Sequence, residues 1–390
     1  MRPQNPPDIV PATTMSFVMT TRKPQPLIAH RPLPGLCGNR SEAKGLGRLR
    51  FVVMLLLVFS SAVVFPLPVL CAPETPHDTV IVERRPFRGF VRRDMAERTA
   101  KLAANLAAWE QAARLLAKEP DLHFINADSI PPPPLDGLAR MLFSTRIEAL
   151  GVEGFPPHQQ AIVKVSLLAP ENLRTSLLDA LSRQDLLELY AQATASQKNL
   201  LERYDHLSAR LLPLNPSTDG GQEENHRLKS IVNELIALDL YIELLPEYNH
   251  NWATPEKAQP QLLRAERLAP NNPLILTALA EIFLQMDRPA AALEYIERAL
   301  NQTPDFARGH DVKGAILLRK RLPSLAAESF GKAIALAPRN PVYYMHRASA
   351  YLVLEEEDNM CRDFKSACGL GDCDGLQWAK SVGRCEAEQQ

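Results

Sequence analysis

The side chains with the greatest chemical potential in this 390-residue chain are its six cysteines. Two lie early, at Cys37 and Cys71, and four lie within the last 30 residues in the spacing C-x6-C-x4-C-x11-C: Cys361, Cys368, Cys373 and Cys385. In a segment that is exported, an even cluster of this kind predicts two disulfides, and four cysteines allow three pairings. A zinc site or a redox pair is the alternative, but Cys-x2-Cys spacing is absent.

Motifs for catalysis are missing from the sequence. It contains no G-x-S-x-G, no H-E-x-x-H, no phosphate-binding glycine loop and no dinucleotide fingerprint. We therefore expect a protein that is not an enzyme, with no cofactor and no metal. One alternative stays open, namely an enzyme whose site in residues 94–250 has no recognisable motif. That alternative predicts a deep polar pocket among the middle helices.

The charge is distributed unevenly along the chain. Residues 1–72 hold 8 Lys and Arg against 2 Asp and Glu, whereas residues 73–390 hold 36 against 43. Because the body is acidic, nucleic acid is not the expected partner. Hydrophobic residues make up 46% of the chain, which is enough to bury a core in most of its length.

An uncharged run from Phe51 to Leu70 follows three basic residues and precedes Cys71-Ala72-Pro73. This layout predicts that residues 51–72 are a signal peptide, or a membrane anchor if they are not cleaved. We interpret the basic, proline-rich leader 1–50 as disordered or as an extension of the gene model. By the positive-inside rule the basic leader stays in the cytoplasm and the rest of the chain crosses the membrane, so we expect a periplasmic or exported protein. The alternative is an inner-membrane anchor, with residues 51–70 as the only contact with the membrane.

The pattern of residues 73–250 predicts a helical region, with a possible internal boundary at the proline run from Pro131 to Pro134. Apolar residues recur at helical spacing over 94–118, 137–149, 158–168, 171–183, 184–212 and 223–244. No strand of convincing length is expected. The predicted fold class is therefore all-α, and these helices could be diverged repeats.

The most informative pattern is a period of 34 residues marked by Pro270, Pro304 and Pro338. Within one period, Leu276, Leu279, Ala280 and Phe283 form one apolar stripe, and Ala292, Ile296 and Ala299 form a second. Each helix pair cannot bury both stripes alone, so neighbouring pairs must stack into a solenoid.

These residues resemble the tetratricopeptide repeat family, of an exported bacterial type with a cysteine-rich C-terminal cap. The resemblance covers residues 251–385 and implies an α-solenoid that docks another protein. It implies a groove lined by positions 2, 5, 9, 12 and 13 of each first helix. The resulting partner-binding candidates are Thr277, Glu281, Gln285, Arg308, Asp311, Leu318, Arg319, Met345, Ser349 and Leu352. Among them, Arg308, Arg319, Met345 and Leu352 are the expected anchors.

The last repeat also suggests how the cysteines pair. Cys361 and Cys368 are seven residues apart on its second helix, and a capping helix from Asp374 would run back antiparallel to it. That hairpin predicts the nested bonds Cys368–Cys373 and Cys361–Cys385.

Taken together, the residues predict a non-catalytic scaffold or adaptor of the bacterial cell envelope that binds a peptide or helix of another protein. A membrane-anchored periplasmic assembly factor is the alternative. The oligomeric state and the identity of the partner do not follow from the sequence.

Overall fold

The computed structural model describes residues 80–118, 134–218, 221–249 and 251–385. The predicted leader 1–50 and the predicted signal or anchor 51–72 lie outside these residues. Within the described ranges, none of the helices combines the length and the apolar character needed to cross a membrane.

A three-stranded antiparallel sheet opens the described chain, formed by β1 (Val80–Phe87), β2 (Ser144–Glu153) and β3 (Gln159–Leu168) in the order β1-β3-β2. The prediction of helix over 158–168 is therefore wrong, as is the expectation that no strand occurs. In β3 the side chains of Ala161, Val163, Val165 and Leu167 are buried and alternate with less buried ones, which is the period-2 pattern of a strand covered on one face.

Among the residues that the structure describes before the repeats, five α-helices accompany the sheet: α1 (Arg93–Leu116), α2 (Leu135–Leu142), α3 (Leu173–Ser182), α4 (Gln184–Leu211) and α5 (Gln222–Leu244). Helix α1 packs on the sheet through four fully buried alanines spaced four residues apart: Ala100, Ala104, Ala108 and Ala112. Because alanine adds only a methyl group, this row lets the helix lie close to the strands. The predicted run 137–149 divides at Phe143, where α2 gives way to β2.

The helical prediction is confirmed for the repeats. A short pair of strands, β4 (Tyr248–Asn249) and β5 (Asn251–Trp252), is followed by α6 (Pro255–Leu268). Three helical hairpins come next: α7 (Pro273–Gln285) with α8 (Pro289–Gln302), α9 (Ala307–Arg319) with α10 (Pro323–Leu336), and α11 (Pro341–Val353) with α12 (Glu357–Gly369). The starts of α7, α9 and α11 are 34 residues apart, as the proline spacing predicts.

The turn inside each hairpin repeats in backbone detail. Asp287, Arg321 and Glu355 adopt left-handed conformations, with φ of 56°, 58° and 60°. The next amide in each turn donates to a carbonyl five residues earlier, as in Arg288 N to Phe283 O at 2.8 Å and Leu322 N to Leu317 O at 3.0 Å. This is the Schellman ending of a helix, which satisfies carbonyls that the helix leaves unpaired.

The hydrophobic core runs without a break from the first region into the repeats. One buried cluster joins Tyr204 of α4 and Leu238 of α5 to Leu262, Ile275 and Ile316 of the repeat helices. The helices before residue 250 are thus packed on the first hairpins and limit which faces of those hairpins can meet a partner.

The C-terminal end is covered by a short helix, α13 (Asp374–Ser381), whose Trp378 packs edge-on against Phe364 of α12. Disulfides join Cys361 to Cys385 and Cys368 to Cys373, with Cα–Cα distances of 5.3 and 4.0 Å. These are the nested pairs expected from the hairpin, so each of the four C-terminal cysteines takes part in one of the two disulfides.

Candidate docking surface

The groove face, defined here as the predicted groove positions on α7, α9 and α11, is partly covered by the chain itself. On α7, Thr277 is only 1% exposed. Gln285 is hydrogen-bonded to the backbone of Trp252, accepting from its N–H at 3.0 Å and donating to its carbonyl at 3.2 Å. The β4–β5 pair therefore lies against the first part of the groove face, with Tyr248 and Trp252 buried there.

Arg308 and Glu281 form an ion pair beneath this β4–β5 pair. The Arg308 guanidinium donates to the Glu281 carboxylate at 2.6 Å and to the Tyr248 hydroxyl at 2.9 Å, and its carbon lies 5.2 Å from the centre of the Tyr248 ring. Glu281 also accepts from the Trp252 indole at 3.2 Å. Arg308, an expected partner anchor, is thus an internal anchor that holds the β4–β5 pair.

Burial and charge oppose each other in this pair. Burial raises the pKa of the Glu281 carboxyl, although the charge of Arg308 acts in the other direction. Burial would lower the pKa of Arg308, but the neighbouring groups, Glu281 first, outweigh it and raise that pKa. The arginine therefore stays protonated, and removing either partner would leave a buried charge without compensation.

The start of α4 covers the middle of the groove face. Glu188 accepts a hydrogen bond from the Asn340 side chain at 3.4 Å, and burial raises the pKa of this carboxyl while Arg308 opposes the rise. Next to it, Asp311 pairs with His346, whose Nδ1 lies 2.7 Å from a carboxylate oxygen. Asp311 is buried and joined to a neighbouring repeat, so it too is a packing residue rather than free groove surface.

The remaining candidates are Leu318 and Arg319 at the C-terminal end of α9, and Met345, Ser349 and Leu352 along α11. Met345 and Leu352 pack against the apolar cluster of the cap, so these two expected anchors are half-buried. Leu318 and Ser349 are also half-buried, whereas Arg319 is exposed and pairs with Asp287 at 3.1 Å. Val353, at the end of α11, is 59% exposed. We call Leu318, Arg319, Ser349 and Val353 the open surface.

Sequence reasoning missed the groups that cover the groove face, namely Glu188, Tyr248 and Trp252, and the neighbouring His346. Repeat register gives the position of a residue within its own hairpin, but it contains no information about which outside segment folds back. A usable signal was the irregular stretch around Pro246, where a repeat pattern gives way to the aromatic pair Tyr248 and Trp252.

One comparison with known protein families finds a match within the repeats. Residues 254–316 match the family described as tetratricopeptide repeat. No curated protein matches the chain.

Several solved structures are similar to part of the chain. One is MamA from Desulfovibrio magneticus RS-1, at 17% identity over 45% of this chain and 94% of that one, with a TM-score of 0.31. Another is YrrB, described as a TPR protein with an unusual peptide-binding site, at 16% identity over 47% and 88%, with a TM-score of 0.32. A thermophilic TPR protein from Thermus thermophilus has 21% identity over 40% and 84%, with a TM-score of 0.33.

The match to residues 254–316 and the 34-residue hairpin geometry agree with each other. The matched residues span α6, α7, α8 and most of α9, and the hairpins α9–α10 and α11–α12 continue the same 34-residue tetratricopeptide-like geometry.

Proposed function

We propose that this protein is a non-catalytic interaction scaffold of the bacterial cell envelope, which docks a segment of a partner protein on the open surface of its repeats. The observation that carries the proposal is the division of the groove face into two parts. Its first part is committed to the β4–β5 pair and α4, while Arg319 and Val353 at its far part are exposed.

The open surface has the composition of a docking site for an apolar segment that carries an acidic residue. Leu318 and Val353, at the ends of α9 and α11, supply apolar area, and Arg319, next to Leu318 in the chain, supplies a positive charge. The Arg319–Asp287 pair is 55% and 78% exposed, and exposed ion pairs of this kind contribute little to stability. A partner carboxylate can therefore replace Asp287 at small cost, whereas the buried Arg308–Glu281 pair would resist such exchange.

The envelope location is supported by three features of the chain. The charge reverses sign after residue 72, an uncharged run of 20 residues precedes the body, and the C-terminal cysteines are paired as disulfides. Disulfides persist in oxidising compartments and are rare in the cytosol.

A membrane-anchored assembly factor is the alternative form of the same proposal. Sequencing the N-terminus of the mature protein distinguishes them, because a start near Ala72 indicates the released form and a retained 51–70 segment indicates the anchor.

Affinity capture from an envelope extract, with variants of the open surface, tests the docking proposal. Val353→Asp and Arg319→Glu should each lose the proteins that the unmodified chain captures. Matched controls are Leu325→Asp, which alters an exposed leucine on α10, and Arg339→Glu, which alters an exposed arginine in the loop after it. The proposal would be wrong if the two open-surface variants still captured the same proteins. It would also be wrong if the two control variants lost them.

A further inference from the structure

A cavity of about 570 Å³ lies between α1 and α5, beside β2, and none of its lining residues belongs to the groove face. This volume falls within the range of small-molecule sites in proteins. Its apolar wall consists of Leu102, Ile147, Val232, Leu235, Ile236 and Ile242, and its polar side includes Asn105, Trp109, Arg140 and Asp239. An apolar wall with a few convergent polar groups is the usual makeup of a ligand site.

Arg140 is the centre of the polar side. It is 9% exposed, and its guanidinium lies over the Trp109 ring, 4.0 Å from the ring centre. The guanidinium donates to the side-chain oxygen of Gln197, whose amide nitrogen donates to Asp239 at 2.6 Å. Gln197 therefore separates a positive and a negative group that both line one cavity.

Three residues that line this cavity each carry a buried polar atom without a hydrogen-bond partner among the described residues: Arg140 Nε, Trp109 Nε1 and Asn105 Oδ1. Two of them are donors and one is an acceptor. Such orphaned groups are uncommon in native proteins because their loss of water is not compensated. A bound molecule that offers both an acceptor and a donor would satisfy them.

The charges on the two sides of Gln197 are also incompletely compensated. Burial lowers the pKa of Arg140 to about 10, and partial desolvation raises the pKa of the Asp239 carboxyl to about 6, although Asp239 is an exposed residue of α5. Across the whole lining, four acidic residues face three basic ones, so the cavity favours neither a strongly anionic nor a strongly cationic molecule.

We propose that this cavity binds the zwitterion of an apolar α-amino acid. The ligand carboxylate accepts hydrogen bonds from the Trp109 indole and from Arg140, and the ammonium group donates to Asn105 and Asp239. The apolar side chain lies against Leu235 and its neighbours on the wall. This site is independent of the docking surface and requires no chemical step.

Isothermal titration calorimetry on the full chain provides the test, with L-leucine, L-methionine and L-phenylalanine as probes. At least one of them should bind saturably. For L-leucine, two truncated analogues separate the contributions, because leucinamide lacks the carboxylate and 4-methylpentanoate lacks the ammonium group. Each should bind at least about tenfold more weakly than the amino acid, as expected for the loss of one charged hydrogen-bonding group.

Two mild variants assign the binding to this cavity. Trp109→Phe keeps an aromatic ring under Arg140 but removes the indole N–H, and Asp239→Asn keeps a partner for Gln197 but removes the charge. Each should weaken binding about tenfold or more, while circular dichroism shows a native helix content. The control Glu223→Gln, on the exposed start of α5, should bind as the parent does. Absence of binding for all three amino acids, or equal binding by both cavity variants, would overturn the proposal.

Discussion

The substitution Gly137→Ala tests the close crossing of α2 and α4 before the repeats. Gly137 lies in α2 against the backbone of Leu187 in α4, and an added Cβ would overlap the Leu187 carbonyl oxygen, with the carbonyl carbon 3.1 Å away. Since the obstacle is backbone rather than a side chain that could rotate, the two helices must separate by about 1 Å in a close-packed interior. In a helix, alanine is nevertheless more favourable than glycine by up to about 1 kcal/mol of folding free energy.

The two effects can be weighed. Overpacking of this kind costs about 1–3 kcal/mol, and a backbone obstacle places it near the upper end. After subtraction of the gain in helix propensity, we expect the free energy of unfolding to fall by about 2 kcal/mol. The displacement would also disturb the hydrogen bond from Arg140, one turn further along α2, to Gln197 of α4.

Urea denaturation followed by circular dichroism measures the effect, with Gly331→Ala in α10 as the matched control. At Gly331 the nearest atom to an added Cβ is a terminal nitrogen of Arg347 at 3.6 Å, which is an ordinary contact. The control should therefore be stabilised by about 0.5–1 kcal/mol. A Gly137→Ala protein as stable as the parent would refute the close crossing of α2 and α4.

Three further predictions concern the repeats and their cap. Arg321→Gly should raise the free energy of unfolding by about 1 kcal/mol, because the left-handed turn at φ 58° strains any residue with a Cβ; thermal denaturation would show it. The double variant Cys361→Ser/Cys385→Ser should lose about 3 kcal/mol of unfolding free energy, since the missing bond spans a sequence separation of 24, and a reductant, which opens both disulfides, should lower the melting temperature of the parent at least as far. Burial would lower the pKa of His346, but Asp311 outweighs it and raises that pKa, so the stabilisation is present below pH ~6.5 and is lost as the pH rises through the folded value. The difference in unfolding free energy between the parent and His346→Gln should therefore shrink as the pH rises from 6.5 through the folded pKa of His346. A difference that stays constant over this pH range would contradict the pairing of His346 with Asp311.

The hairpins could be predicted because their positions are determined by short-range spacing. Three prolines at 34-residue intervals and small residues at Ala280 and Ala348 specify where each helix stops and how closely it packs. The left-handed turns at Asp287 and Arg321 could not be predicted, because neither residue is glycine or asparagine.

The sheet and the cover of the groove face could not be predicted, for two physical reasons. In β3, Val163 and Val165 alternate with less buried residues over only ten positions, and so short an apolar segment fits both a strand and a helix. The cover depends on contacts between distant parts of the chain, such as Glu188 with Asn340, which no local pattern encodes. Arg308 shows the consequence: its repeat position is that of a groove residue, but its charge is used internally by Glu281.

Site-specific photo-crosslinking tests most directly whether partners dock on the open surface. A photoreactive amino acid would be placed at Val353, at Arg319 and, as the control, at Leu325 on α10, each exposed in the structure. In envelope extracts, the Val353 and Arg319 probes should give the same crosslinked protein, and the Leu325 probe should not. A product that forms only from Leu325, or equally from all three positions, would contradict docking on this surface.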